Sequence, residues 1–331
     1  MKRNIFIAVA LFATMAANAQ NIAVVNPSNE TSVYQTLDEA VTGADPGSII
    51  YLPGGGFQIK NETKITKKLT IMGVSHRGDT DNADGATVIA GSLNFEKESS
   101  GSSVIGVYIS GDVNVGTATD SVANLTVRFC NMNSIQVKHA KSSGLVVNQC
   151  YIRGYSNYGN CDVRLENNIL HSVYNVKGGI INHNVIVNHY VIYGNGTYTI
   201  MDVNSSSITN NFCLDWKGHR GNNCYISNNC IGKTSWVENE NAVTLDENTT
   251  WDDVFVANNG VKISSDYHFK DGWDKGVGAA TDGTDIGIYG GSGFKDKDGA
   301  HAPIPRIVSK KVDEQTDGSG KLHIEVTIKA K

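Results

Sequence analysis

A short phrase recurs along this chain, and it restricts the fold more than any other feature. Leu165-Glu166-Asn167-Asn168-Ile169-Leu170 is matched by Ile181-Asn182-His183-Asn184-Val185-Ile186, by Ile208-Thr209-Asn210-Asn211-Phe212-Cys213 and by Ile226-Ser227-Asn228-Asn229-Cys230-Ile231. Val146-Val147-Asn148-Gln149-Cys150-Tyr151 is a weaker copy, and Val127-Arg128-Phe129-Cys130-Asn131-Met132 is weaker still. From one leading aliphatic residue to the next, the steps are 19, 19, 16, 27 and 18 residues. A strand-turn-strand unit repeated at this interval is a solenoid signature, because each unit buries its apolar side only by stacking on the next.

The asparagines have a specific physical use in such a stack. The chain must bend sharply between two strands, and Asn takes the left-handed backbone region at little cost. Coils about 4.8 Å apart bring equivalent side chains together, so amides at one register bond to those above and below. Asn168, Asn184, Asn211 and Asn229 are predicted to form one internal ladder, with Gln149 and Cys130 as degenerate rungs and the flanking aliphatic residues pointing inward. The fold class that follows is all-β, a single-stranded parallel β-helix.

The first residues read differently. Lys2 and Arg3 precede an apolar run from Ile5 to Met15, and Ala17-Asn18-Ala19 is a small-x-small cleavage pattern, so residues 1–19 are expected to be a signal peptide with Gln20 as the mature start. The run is too short to span a bilayer stably, and no later segment is apolar enough, so no transmembrane segment is expected. An exported chain that is periplasmic, cell-surface or secreted follows. Ser32 is read as a helix N-cap, with Val33, Leu37, Ala40 and Val41 at helical spacing up to Gly43. Residues 20–48 then form an N-terminal capping segment, 49–293 the β-helix, and 294–331 a tail ending in a strand that alternates from Gly320 to Ile328. Within the helix, Ser48 to Leu52, Lys68 to Gly73, Ala86 to Ile89 and Val104 to Ile109 read as strands, the first stopped by Pro53 and Gly54 to Gly56.

Composition agrees with short strands and tight turns: 35 Gly against 5 Pro, and only 18% charged residues. A net charge of −5 leaves no electrostatic footprint for nucleic acid.

The stretch from Thr36 to Ala40 through Asp45 to Gly54 resembles the opening helix and first coil of the right-handed parallel β-helix proteins of the pectin-lyase-like superfamily. Lys68 to Gly73 resembles their second strand. Asp282-Gly283-Thr284-Asp285-Ile286-Gly287-Ile288-Tyr289-Gly290-Gly291 resembles the closing segment of exported bacterial members. The resemblance implies a right-handed helix and contact with acidic polysaccharides. Of the four motifs implied for polygalacturonase-type hydrolases, the chain has only the acidic pair, Asp252-Asp253, with Gly218-His219-Arg220 as a partial and misplaced echo. A polysaccharide lyase is therefore favoured over a glycoside hydrolase if the chain is an enzyme at all.

A lyase needs a base beside the substrate carboxylate and positive charge for the enolate-like intermediate. Lys217, His219 and Arg220, with Arg153 from a neighbouring coil, are the candidate catalytic cluster. Tyrosine joins an apolar face to a polar tip and suits sugar rings; Tyr155, Tyr158, Tyr174, Tyr190, Tyr193 and Tyr198, with Trp216, are the candidate carbohydrate contacts. Asp79-Thr80-Asp81-Asn82-Ala83-Asp84-Gly85 is similar to a calcium loop, but its Gly falls one place late and no Glu closes it. Ca2+ at Asp79, Asp81 and Asp84 is thus the weak alternative to a chain with no metal and no cofactor. Six cysteines survive signal cleavage, and several lie inside the repeat, where unpaired buried thiols are expected. Two functions remain open: binding, with or without processing, of an acidic or complex polysaccharide along a lateral face, or a non-catalytic structural or adhesion module that displays loops to a protein partner.

Overall fold

The structure, a computed structural model, describes residues 21–77, 85–154, 156–187, 190–192, 196–213, 219–232, 240–246, 248–257, 265–294, 306–313, 315–316 and 318–329. The expected signal peptide, residues 1–19, lies outside them. The chain winds through about 8 turns of a right-handed parallel β-helix. Each turn visits three sheets in order; one complete turn is Val163–Glu166, Ile169–Leu170 and Val173–Lys177. Among the described residues the first sheet has eleven strands, the second ten and the third seven, and every coil-to-coil pairing is parallel, in register except for one shift between Ser156–Cys161 and Val173–Lys177.

Alternation decides what faces inward. In the first sheet Val104, Val127, Val147, Leu165, Ile181, Ile208 and Ile226 stack in the core, all essentially inaccessible to solvent. Ile152, Leu170, Ile186, Cys213 and Ile231 do the same from the second sheet. Each such side chain contributes about 1.5–3 kcal/mol of burial. The coil pairing corrects the repeat by one residue at its weak copy, since Val147 and not Val146 pairs with Leu165. Val146 and Val147 are both apolar, and only the partner strand distinguishes them.

The corner between the first and second sheets carries the asparagine ladder. The Asn184 Oδ1 accepts from the Asn168 backbone N–H at 2.9 Å and from its Nδ2 at 3.0 Å. Asn211 repeats this toward Asn184, and Asn229 toward Asn211. Each Nδ2 also donates to a carbonyl of the coil below: Asn168 to Val147, Asn184 to Leu165, Asn211 to Ile181 and Asn229 to Ile208, all at 2.9 Å. The ladder extends differently from expectation at its lower end. Gln149 is not a rung; Cys150 is, its N–H donating to Asn168 Oδ1 at 2.9 Å and its thiol to Val127 O at 3.5 Å. Cys130 holds the next rung, with its thiol on Val104 O at 3.6 Å.

The bend itself belongs to the residue before each rung. Phe129, Gln149, Asn167, His183, Asn210 and Asn228 have φ between 51° and 58°. The sequence reading gave both tasks to one asparagine; the molecule divides them between neighbours.

The N-terminal end is closed by two antiparallel strands, Ile22–Val25 on Ile49–Leu52 and Thr31–Tyr34 on Ile22–Val25. The helix Leu37–Gly43 buries Leu37, Ala40 and Val41. Its N-cap is Thr36, not Ser32: Thr36 Oγ1 accepts from Glu39 N–H, and the Glu39 carboxylate accepts from Thr36 N–H, both at 3.2 Å. Ser32 and Val33 are exposed strand residues instead. The first-sheet strand Ile49–Leu52 stops before Pro53, as expected, and Gly55–Gln58 then opens the second sheet.

The coils run to Val243–Thr244, and residues 245–294 do not continue them to 293. The described residues of this stretch fold back over the outside of the second sheet. Ile169, Val185, Phe212 and Cys230 point outward there, contrary to the expectation that both aliphatic flanks face inward, and are buried with Leu245, Val254, Phe255, Tyr267 and Ile288. Phe255 lies 4.8 Å from Phe212 and stacks on Trp251 at 5.5 Å between ring centroids. The return segment is stapled to the left-handed corner residues. Asn167 Nδ2 donates to Gly290 O at 2.9 Å, Asn210 Nδ2 to Thr281 Oγ1 at 2.8 Å and Asn228 Nδ2 to Ala279 O at 2.9 Å. His183, buried, faces Asp282 at 3.3 Å. The hairpin Arg306–Val312 with Ile324–Lys329 follows.

Two predictions follow from these bonds. Replacing Asn211 by Ala strands at least two buried partners, each costing about 1–3 kcal/mol, so Asn211→Ala should lower unfolding free energy by at least about 2 kcal/mol; Cys150→Asn, which restores an amide rung, should stay within about 1 kcal/mol of the parent. Equilibrium urea unfolding reads both, and the reverse order would refute the ladder's energetic role. For Asp282, partial burial raises the carboxyl pKa, but hydrogen bonds from Thr284 and the neighbouring His183 outweigh it and leave the value below the usual 3.8. A depressed folded pKa stabilises above the unfolded value and is lost as pH falls through the folded one. The protection factors of residues 279–291, exchange rates divided by their intrinsic values at each pH, should therefore be flat just above pH 3.8 and fall below it, and Asp282→Asn should remove that acid limb.

Candidate functional site

The outer face of the second sheet is covered over its C-terminal half by the return segment. The third sheet carries a largely polar row along its outer face. Its strands place Asn94, Asn114, Gln136, Asn157, Tyr174, Met201 and Arg220 in one outward row, each the register partner of the next. In the first three of these coils the cause is an apolar-polar-apolar triplet, Leu93-Asn94-Phe95, Val113-Asn114-Val115 and Ile135-Gln136-Val137. The outer residues of each triplet enter the core and the middle one faces out. All members but Met201, which is buried, are partly accessible.

The row is ordered by bonds along and across it. Asn114 Nδ2 donates to Asn94 Oδ1 at 3.0 Å, and Asn94 Nδ2 to Asn61 O at 3.1 Å. Gln136 Nε2 donates to Ser134 Oγ at 2.8 Å. Asn157 Oδ1 accepts from Gly159 N–H at 2.8 Å and from Asn175 Nδ2 at 3.2 Å. A register irregularity between the strands Ser156–Cys161 and Val173–Lys177 bends the sheet here, and Asn175 and Asp202 take φ of 63° and 53° at the bend. Asp202 thereby meets Arg220 as a forked pair, 2.8 Å from Nε and 2.5 Å from Nη2. With about a third of each side chain exposed, the pair adds little stability, but it fixes the guanidinium plane and neutralises the one charged member of the row.

The expected catalytic cluster divides in the structure. Arg220 and His219 lie together in the third sheet, yet His219 takes the register of buried Ile200, with its Nε2 3.2 Å from Val203 O. Lys217 and Trp216 lie outside the described residues. Arg153 sits at the corner between the second and third sheets, donating to Tyr108 Oη at 2.8 Å, to Met132 O at 3.3 Å and to Ile109 O at 3.2 Å, with its guanidinium 4.8 Å from the Tyr108 ring centroid. It is a clamp across coils. Asp253, part of the acidic pair, starts the helix Trp251–Val254: Thr250 donates to it through both N–H and Oγ1 at 2.7 Å. Those bonds hold its carboxyl below the ordinary value.

The tyrosines do not converge. Tyr158 is fully buried and cannot offer a face to a sugar, and burial pushes its phenol far up. Tyr174 is in the outward row. Tyr190 and Tyr198 are register partners in the small hairpin Tyr190–Ile192 with Gly196–Tyr198. Tyr155 and Tyr193 lie outside the described residues, as do Asp79, Asp81 and Asp84. Among the described residues no three His, Cys, Asp or Glu side chains gather as a metal site. Sequence reasoning missed the amide row, although the triplet was visible at a step of 20 residues from Asn94 to Asn114.

Two further concavities occur among the described residues. One of about 370 Å³ lies between the cap helix and the second sheet, lined by Gln35, Asp38, Gln58 and Lys60. A shallower one of about 220 Å³ lies on the first sheet beside Arg164 and Ile180.

All six cysteines are free thiols, and all but Cys224 are buried. Burial raises Cys150 and Cys213 well above the ordinary value and Cys161 to about 12, so none of these three is a thiolate nucleophile near neutrality.

Comparison of the chain with protein-family models, with curated proteins and with solved structures finds no match in any of the three.

The thiol geometry has a direct check. At pH 8 a thiol reagent should modify Cys224 in the native protein and reach all six only after denaturation; intact-mass analysis showing any disulfide would contradict the buried, unpaired arrangement.

Proposed function

We propose that the protein is an exported member of the pectin-lyase-like β-helix proteins that binds an extended, hydroxyl-rich polysaccharide along the outer face of its third sheet. The observation that carries this reading is the outward polar row from Asn94 to Tyr174, resumed at Arg220 beyond the buried Met201. Successive rungs stand about 4.8 Å apart, close to the rise of one extended hexose unit, so a glycan strand lying along the helix axis meets one side chain per sugar. Amides supply both a donor and an acceptor and so match hydroxyl groups. Tyr174 adds an aromatic edge or face within the row, and the fixed Arg220 guanidinium adds directed donors at one end.

The charge pattern narrows the glycan class. Arg220 already faces Asp202, which fits neutral or sparsely charged chains better than a polyuronate. Catalysis has weaker support than binding, because Arg153 and Arg220 are both engaged within the protein. The export pattern at residues 1–19 and the resemblance of residues 36–54 to the superfamily's opening coil support location outside the cytoplasm. The competing reading, a non-catalytic display or adhesion module, is favoured by the same lack of a free cationic pair in the row.

Affinity electrophoresis against neutral and acidic polysaccharides tests the proposal. Retardation by a neutral glycan is expected, and Asn157→Ala with Tyr174→Ala should weaken it at least tenfold, about 1.4 kcal/mol. Equal binding by this double variant would remove the third sheet as the site, and no retardation by any glycan would leave the display module. Release of unsaturated uronate products, followed by absorbance, would convert the reading to a lyase.

A further inference from the structure

We propose that Asp202 sets the charge selectivity of the third-sheet face. Its carboxylate engages the Arg220 guanidinium, so that the face accepts uncharged sugars and turns away polyuronates. Such selectivity rests on the glycan reading, in which the third sheet is the binding face.

The backbone does not ask for a carboxylate at this position. Asn175 and Asp202 stand at the same place in successive coils, each between the register pairs Tyr174 with Met201 and Val176 with Val203. Both take a left-handed φ, 63° and 53°. Asn enters that region as readily as Asp, so an amide at 202 would make the same bend. Asn175 uses its amide within the row, Nδ2 donating to Asn157 Oδ1 at 3.2 Å. What Asp202 adds over an asparagine is charge, and the group that receives it is Arg220.

The forked geometry puts this carboxylate where a substrate acid would dock. Asp202 accepts from Nε at 2.8 Å and from Nη2 at 2.5 Å, along one of the guanidinium edges that grip a carboxylate through two parallel bonds. A uronate approaching Arg220 therefore meets a negative charge already in place, and like charges set side by side at a binding face oppose association. About a third of each side chain is exposed, so a chain lying on the row senses both charges. A sugar hydroxyl carries no charge to be repelled.

Little else on the sheet competes with this pair. In the outward row Asn94, Asn114, Gln136 and Asn157 are all amides. Along the described strands of the third sheet the Lys, Arg, Asp and Glu side chains are Lys177, Asp202 and Arg220. Lys177 is exposed and lies on the strand that pairs with the one carrying Asp202. Removing the Asp202 charge leaves Lys177 and Arg220 as two cations with no carboxylate on these strands, a surface that favours a polyanion. One side chain thus decides which class of polysaccharide this end of the face admits.

Affinity electrophoresis of the full chain tests the assignment, with hydroxyethylcellulose and galactomannan as neutral probes and polygalacturonate as the acidic one. Asp202→Asn should bind polygalacturonate at least about tenfold more tightly than the parent at low salt, and the gain should fade at high salt. Asp202→Gly, which takes the same φ freely and lacks the charge, should gain likewise. Adding Arg220→Gln to Asp202→Asn should abolish the gain. Asp271→Asn, the same charge change at an exposed turn of the return segment, should show none. No gain in either Asp202 variant, a gain that survives Arg220→Gln, or an equal gain in Asp271→Asn would each overturn the assignment. The two readings fail separately. If Asp202→Asn gains while neither neutral probe retards the parent, Asp202 keeps its role and the neutral-glycan class falls. If a neutral probe retards the parent and neither Asp202 variant gains, the glycan reading stands without this selectivity.

Discussion

Everything in this molecule depends on closing the backbone hydrogen bonds of a tight corner that has no water. A solenoid coil turns between sheets within two residues, and its peptide groups would be orphaned there without a side chain that both donates and accepts. The buried amide does both at once: its oxygen takes two bonds from the coil below, and its nitrogen reaches that coil's carbonyl. Buried polar groups left unpaired cost about 1–3 kcal/mol each, so repeated corners make this the strictest requirement on the sequence. Where Cys150 and Cys130 stand in for Asn, the thiol still finds the equivalent carbonyl, at longer range. The substitution keeps the direction of the bond and gives up part of its strength.

Once the corners are fixed, the side chains on either side have no choice of face. That is why the ladder is connected to both the core and the outer rows. The inward residues of the first and second sheets stack because the ladder sets the register, and the third-sheet row from Asn94 to Arg220 inherits the same coil spacing. The left-handed residue before each rung faces outward, and in four successive coils it holds the returning segment. One corner thus positions an inner scaffold and an outer strap.

The repeat, the cap helix and the all-β class were legible because each has a period or a breaker that a sequence displays. The division of labour between Asn167 and Asn168 was not, since both residues of the pair are the same amino acid and only φ distinguishes them. Ile169, Val185 and Phe212 were read as inward because apolarity does not state which side it will be buried on; their cover comes from residues 245–294, distant in sequence and without periodicity. The candidate site was legible only in part. Tyrosine density drew attention to one stretch, yet within it Tyr158 fills the core while Tyr174 faces out, a difference set by strand alternation. The amides of the third sheet carried the informative pattern and attracted no notice, because a lone polar residue between two apolar ones is the commonest of strand motifs.

The coil between Asn184 and Asn211 spans 27 residues, while those on either side span 16 and 18, and the rung bonds across all of them stay between 2.9 and 3.0 Å. Excess length therefore leaves the stack sideways, at the passage from the second sheet to the third, and exerts no strain on the corner. Since the entropy of closing a loop grows only slowly with its length, that passage can accept inserted segments of very different size. The scaffold separates the residues that hold it together from the residues free to vary, which makes this one side of the cylinder a natural place for foreign peptide to be grafted without retuning the rest.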